Sequence, residues 1–530
     1  MGTTSERPHR VEVFDTTLRD GLQVEGVSAT VEDKLRIAEQ LDLLGVHYIE
    51  GGWPGANPKD IEFFARAGSE LRLGTSTLVA FGSTRRPRGK VDDDATLRNL
   101  VEAATAAVCI VAKSSDYHVT EALQTTLDEG EAMIAESVRF LTGEGRQVLV
   151  DMEHFFDGYA ANPEFSLRAI EAAVINGASH VVLCDTNGGS LPHQIEEIVG
   201  AVVHHLGGDV VVGIHCHDDT GCAVANSMAA IRAGARHVQG TLNGLGERTG
   251  NANLSTIIPN LQLKLGHPCL PDGRIASLTA VSHHVAELLN RAVNPQAPYV
   301  GSSAFAHKAG LHTSAIARAK DAYEHVRPEQ VGNGTRFVVS EMAGRATIQM
   351  KAAELGLEMD GPAVNSVVDD LKRLEHEGYH FEAADASLEL LMRRATGWTQ
   401  EFFRVESMRV ITDELPNGEF TTEATAKVWV GDDRHVHTAE GNGPVNAIDT
   451  ALRMALADAY PQLSRVHLTD FKVRILDGAS ATGAVTRVLL DATDGERDWT
   501  TIGVSANIIE ASWRALEESL VYGLLHGLPG

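Results

Sequence analysis

Short β-branched apolar runs alternate, along the first half of the chain, with polar or glycine-rich breaks. After each break the apolar residues recur at helical spacing. The runs are "VEVFDTT" from Val11, "HYIEGGW" from His47, "LRLGTSTLVA" from Leu71, "AAVCIVAKSS" from Ala106, "QVLVDMEHFF" from Gln147, "HVVLCDTNGG" from His180, "DVVVGIHCHDD" from Asp209 and "HVQGTLNGLGE" from His237. Between them lie helix-like stretches such as Val31–Leu44, "SLRAIEAAVINGA" and "NSMAAIRAGA", several closed by glycine. Eight strand–helix units in this length predict a closed (β/α)8 barrel over residues 1–272. A doubly wound open sheet is the rival, but it usually has fewer strands, and no GxGxxG follows the first run. Residues 273–397 read as helical linker subdomains, interrupted by the irregular "NPQAPYVGSSAFAHKAGLHTSAIARAKDAY". From about Trp398 the pattern changes to half-buried antiparallel strands, "FFRVESMRVITDE", "TTEATAKVWVGDD", "DFKVRILDG" and "AVTRVLLDAT". With the helices "PVNAIDTALRMALADAY" and "NIIEASWRALEESLVYGLL" they predict an α+β domain over 398–530.

Polar residues gather at the C-terminal ends of the runs, the rim where barrel enzymes place their active sites. They are Asp15, Arg19 and Asp20 after the first run, Glu50 after the second, and Glu153 and His154 after the fifth. Asp185–Asn187 follow the sixth, His215 and His217 the seventh, and Asn243–Asn253 the eighth. In a strand, residues two apart share a face. His215 and His217 in "GIHCHDDTG" therefore point together, with Cys216 opposite. A carboxylate such as Asp20 from another strand would complete a site for a divalent cation, and Zn, Mn, Co and Mg all suit such donors. The other reading is two histidines satisfied by hydrogen bonds at a strand end. Arg19, next to Asp20, suits a developing oxyanion, or is half of an ordinary surface ion pair. The glycines of "NGLGERTGNAN" permit close approach to a ligand.

Composition narrows the function. Lys+Arg 45 against Asp+Glu 72 leaves a formal net charge of −27, which disfavours nucleic acid and anionic membrane. An anionic substrate would then need a local cation. The basic "STRRPRGK" reads as a solvated loop. Five scattered cysteines without a CxxC suit a reduced, cytoplasmic chain. The N-terminal stretch has no apolar leader, and no later segment approaches a membrane span.

"FDTTLRDGLQ", "GIHCHDDTGCAVANSMAAIRAGA" and "NGLGERTGNANL" together resemble the barrel metalloenzymes that condense acetyl-CoA with a 2-oxo acid. That family holds the 2-isopropylmalate, homocitrate and citramalate synthases, and its superfamily also holds aldolases and lyases. "YIEGGWPGANPKD" and "DMEHFFDGY" look most like the (R)-citramalate synthase branch. Leu22 departs from the family, which often has Glu or Ala at that place in "RDGxQ". The resemblance implies Asp20, His215, His217 and Asn251 as metal ligands. It implies Arg19 as contact to the 2-oxo acid and its oxyanion, Gln23 and Thr186 as substrate contacts, and Glu153 in acetyl-CoA activation. His312 and Tyr323 match a His and a Tyr supplied by the helical subdomain, in the family from the partner chain of a homodimer. The implied reaction joins acetyl-CoA and pyruvate into (R)-citramalate and CoA, opening a threonine-independent route to isoleucine. The C-terminal domain then matches the family's amino-acid sensor, with isoleucine as expected effector. The alternatives are condensation with another 2-oxo acid, as in 2-isopropylmalate or homocitrate synthase, and an aldolase or lyase on the same barrel.

Overall fold

The first helix, Val31–Leu44, shows how sequence sets the elements. Thr30 and Asp33 close a reciprocal capping box at its start, and Gly45 at φ 91° ends it. Val31, Leu35, Ile37, Ala38, Leu41 and Leu44 form the buried stripe. A side chain at Gly45 would run into Pro271. Lys34 shares the stripe, fully buried, and reaches Asp60 at 2.6 Å.

The structure is a computed structural model that describes residues 9–208, 210–308, 315–316, 319, 322–339, 343–476 and 483–527. Eight parallel strands close a barrel in sequence order. They are β1 (Glu12–Asp15), β2 (Tyr48–Gly52), β3 (Thr77–Ser83), β4 (Ala107–Lys113), β5 (Gln147–Glu153), β6 (His180–Asp185), β7 (Val211–Cys216) and β8 (His237–Gly240). Seven lie within the corresponding apolar runs, and β3 begins inside its run and continues past Ala80 to Ser83. β1 pairs with β8 to close the ring. The strands are buried on both faces, as helix-covered parallel strands must be.

The described chain separates into two compact units, Met1–Phe305 with Glu324–Gly334, and Ala306–Tyr323 with Thr335–Gly530. These differ from divisions at 272/273 and 397/398, and the cores explain why. Leu278, Val281, Val285, Tyr299, Phe305 and Val331 pack into the barrel's own core. In the second unit, Val364, Val367, Leu371, Leu388 and Met392 share a core with Ile502 and Val504. The second unit repeats one plan, three antiparallel strands then a helix. Arg404–Glu414, Phe420–Val430 and Asp433–Gly441 precede the helix Pro444–Leu456. His467–Ile475, Thr486–Thr493 and Asp498–Ser505 precede Ile508–Gly527. Asp433–Gly441 and Asp498–Ser505 are strands beyond the four expected there. No helix of the described residues is long and apolar enough to cross a membrane.

The barrel's N-terminal mouth is closed by charge as well as bulk. Glu12 Oε2 lies 2.7 Å from His180 Nε2 and 3.5 Å from His237 Nδ1. Burial first, then the neighbouring His180, pushes the fully buried His237 down to about 4, although Glu12 opposes this. As pH falls from about 6.5 towards 4, the unfolded chain takes up a proton at this residue that the folded chain refuses, so folding stability declines. Chemical denaturation at stepped pH should show that decline, and a flat profile across the window would contradict the assignment. Glu12→Gln should cost about 1–3 kcal/mol at neutral pH, because it weakens the partner of two buried imidazoles.

Candidate functional site at the C-terminal mouth of the barrel

The ends of β1, β2, β5, β6 and β7 converge on a cavity of about 230 Å³. Arg19, Asp20, Gln23, Glu153, Thr186, His215 and His217 all line it. Phe81, Trp53 and Val111 form its apolar wall, and Asp151, Cys184 and Glu247 complete it.

Arg19 organises the first strand's end. Its Nε donates to Glu50 Oε2 at 2.6 Å, its Nη1 lies 3.2 Å from Asp20 Oδ2, and its guanidinium lies over the Phe81 ring at 3.9 Å. Trp53 meets Phe81 edge-on at 5.5 Å. Burial works against charge on Asp20, yet Arg19 and then His215 hold its carboxyl well below the usual range. Burial pushes Glu50 up, against the pull of Arg19 and with Asp151 adding to the rise.

Asp20, His215 and His217 each offer one donor atom, all within 4.8 Å of one another. Burial disfavours the charged form of His215, but the Asp20 carboxylate outweighs it and raises the imidazole. Burial, with His215 alongside, pushes His217 down to about 4, so its imidazole is neutral at physiological pH. His217 stands one residue beyond β7, bridged in antiparallel fashion to Asn251. The Asn251 amide is oriented by its neighbour. Its Nδ2 donates to the Leu245 carbonyl at 3.1 Å. Its Oδ1 is buried without a hydrogen-bond partner among the described residues, as is His217 Nδ1. Such orphaned polar atoms are costly. Two imidazoles, a carboxylate and an amide oxygen are a donor set that a divalent cation satisfies. The loop that brings Asn251 here needs glycine. Gly246, at φ 145°, would collide with the Asn251 amide if it bore a Cβ, and Gly250, at φ 95°, with the Gly244 carbonyl.

On the opposite side Glu153, ending β5, is held by Lys113, ending β4. The next residue, His154, sits in the left-handed region at φ 55°, strain of the kind that gathers at functional sites. Its backbone N–H donates to Thr186 Oγ1 at 2.8 Å. The Thr186 hydroxyl thereby keeps its own proton to donate. Arg248 grips Asp219 through Nε and Nη2 at 2.8 and 3.0 Å and also reaches the Thr186 carbonyl. Asp218 accepts from Ala223 N–H at the start of the next helix.

Sequence reading had not singled out Asp151, Gln239, Lys113, Trp53 or Phe81. Asp151 did carry a signal, standing two residues before Glu153 on the same strand face. Tyr323 is exposed and belongs to the second compact unit. His312 lies outside the described residues.

The family model described as HMGL-like matches residues 10–285. The homocitrate synthase post-HMGL domain-like model matches 299–379, and the LeuA allosteric (dimerisation) domain matches 382–524. An (R)-citramalate synthase of Streptomyces coelicolor is 53% identical over 99% of this chain and 98% of its own. One from Aquifex aeolicus is 51% identical over 97% and 98%. A probable 2-isopropylmalate synthase of Methanopyrus kandleri is 33% identical over 96% and 97%.

His217→Ala should cut divalent-metal affinity by at least about tenfold. The rim position should leave thermal unfolding nearly unchanged. Metal content after dialysis and a melting curve check both, and undiminished metal content would remove His217 from the ligand set.

Proposed function

The chain belongs to the HMGL-like family, among the (R)-citramalate synthases, and on that premise we propose that it condenses acetyl-CoA with pyruvate to give (R)-citramalate and free CoA. The observation that carries the proposal is the single small cavity in which the cation donors, Arg19, Glu153 and Thr186 face an apolar wall of Trp53, Phe81 and Val111. Its size and apolar wall suit a 2-oxo acid with a methyl side chain better than the branched or carboxylated chains of 2-oxoisovalerate and 2-oxoglutarate.

Asp20, His215, His217 and Asn251 would hold a divalent metal. When bound, that metal would supply Lewis-acid polarisation of the keto group. The remaining work belongs to side chains. Glu153 takes a proton from the acetyl methyl group, with Lys113 beside it to balance its charge. The resulting enolate carbon adds to the 2-oxo carbon. Arg19, fixed by Glu50 and Asp20 and stacked on Phe81, faces the growing negative charge on the former keto oxygen. Fixing the guanidinium in advance spares reorganisation when that charge appears. Thr186 donates its hydroxyl proton to the substrate carboxylate, and Gln23 adds a polar contact at the cavity wall. The alkoxide takes up a proton, balancing the one Glu153 removed, and water then cleaves the thioester to a carboxylate and free CoA. In this reading His312 and Tyr323 come from the partner subunit of a homodimer.

The closing assay measures free-thiol release from acetyl-CoA with a panel of 2-oxo acids. Pyruvate should give a kcat/KM at least about tenfold above 2-oxoisovalerate and 2-oxoglutarate, a difference of about 1.4 kcal/mol in transition-state binding. A panel led by either rival acid would overturn the pyruvate assignment.

The second unit, in the region matching the LeuA allosteric domain, is proposed to sense isoleucine as end product of a threonine-independent pathway. A cytoplasmic location belongs to the same proposal and fits five free cysteine thiols. Isoleucine must bind a less active arrangement more tightly to act, with a coupling of about 1–3 kcal/mol. Cutting the chain at Trp398 is a poor test, since it would uncover the core that residues 339–392 share with Ile502 and Val504. Titrating the intact enzyme with isoleucine, leucine and valine is a better one. Inhibition by isoleucine at the lowest concentration is expected, and indifference to all three at millimolar levels would remove the sensor role.

A further inference from the structure

We propose that Gln239 is a positioning residue that fixes the tautomer of His215, so that His215 offers Nε2, and not Nδ1, to the divalent cation. The inference deepens the cation-site reading above and rests on it. His215 on β7 and Gln239 on β8 are directly opposite each other in the strand register. His215 Nδ1 lies 2.8 Å from Gln239 Oε1, and Gln239 Nε2 donates to Asp151 Oδ1 at 2.9 Å. All three side chains are buried.

A primary amide has one accepting end and one donating end. Asp151, on β5 across the barrel, settles which end faces which way. Its Oδ1 accepts from Gln239 Nε2, and the Cys109 thiol approaches as a further hydrogen-bond partner. The amide NH₂ must therefore turn towards Asp151, which leaves the amide oxygen for His215. An oxygen there accepts only from a protonated Nδ1. The lone pair of the neutral ring is then on Nε2, the nitrogen 3.4 Å from Asp20 Oδ2 and facing the other cation donors. With the amide reversed, its NH₂ would meet Nδ1, the ring proton would move to Nε2, and His215 could not ligate from that atom. A hydrogen bond to the second nitrogen is the general means by which proteins orient metal-binding imidazoles. Here an uncharged amide relays the orientation from a carboxylate deeper in the barrel.

The test titrates the full-length apo chain with Co²⁺, followed by its visible absorption. Gln239→Leu keeps the volume and removes both hydrogen bonds. It should raise the Co²⁺ dissociation constant about 10–100-fold while the far-ultraviolet circular-dichroism spectrum stays that of the parent, the melting temperature falling as Asp151 and His215 lose a buried partner. Gln239→Glu keeps an oxygen opposite Nδ1–H and shares one proton with Asp151, so it should hold the dissociation constant within about threefold of the parent. The isosteric swap Gln239→Glu with Asp151→Asn exchanges acceptor and donor, preserves the path to Nδ1–H, and should restore the dissociation constant to within about threefold. Should Gln239→Leu not fold, Gln239→Met, which also lacks the accepting oxygen, carries the test. An unchanged dissociation constant in folded Gln239→Leu or Gln239→Met, or a folded double swap that binds no better than either, overturns the proposal. His217→Ala separates the two levels. If it loses Co²⁺ while Gln239→Leu keeps it, only the role of Gln239 falls. If it keeps Co²⁺ at parental affinity, the cation site falls, and Gln239 with it.

Discussion

A half-buried guanidinium among buried carboxylates is the constraint around which the barrel mouth is built. Asp20, Glu50 and Asp151 all lie out of water, and an unpaired buried charge is far costlier than a buried apolar group. Arg19 sits between the first two and feels the third, and the three carboxylates hold it firmly cationic against the cost of its own burial. Asp15, the last residue of β1, shows the alternative. Among the described residues it has no cationic partner, and burial pushes it up to about 7 although the Thr17 amide and hydroxyl bind it. The charges of the mouth are thus unequal in kind. Some are fixed by pairing, and others are left near neutrality by desolvation.

That arrangement requires an accurate frame, and the barrel supplies it through strand register. Residues from β1, β5, β7 and β8 reach one another only because neighbouring strands hold a set offset. The loops add what the strands cannot. Asn251 reaches His217 on a loop whose glycines take conformations closed to other residues.

Much of this was legible in the sequence because the information was local. The eight apolar runs carry the strands, and the polar residues at their ends mark the mouth. The HxH spacing placed two imidazoles on one side, although His217 itself lies just past the strand. What escaped was non-local. Gln239 and Asp151 are separated by 88 residues, and nothing in either segment announces that they meet. The strand Asp433–Gly441 was missed because it is largely exposed and lacks an alternating apolar stripe. The helices of residues 339–392 read as a linker because their apolar faces look alike whether they cover the barrel or the C-terminal sheet.

The shared core of residues 339–392 with Ile502 and Val504 has a consequence for how such chains can diversify. The segments defined by family similarity meet near residue 380, inside one continuous apolar interior. A crossover placed there would join helices from one ancestor to a sheet from another, whose side chains had never been selected to interlock. Exchange of this unit between lineages is therefore better tolerated near residue 335, where its larger part begins. At that junction the inherited piece brings its whole interior with it.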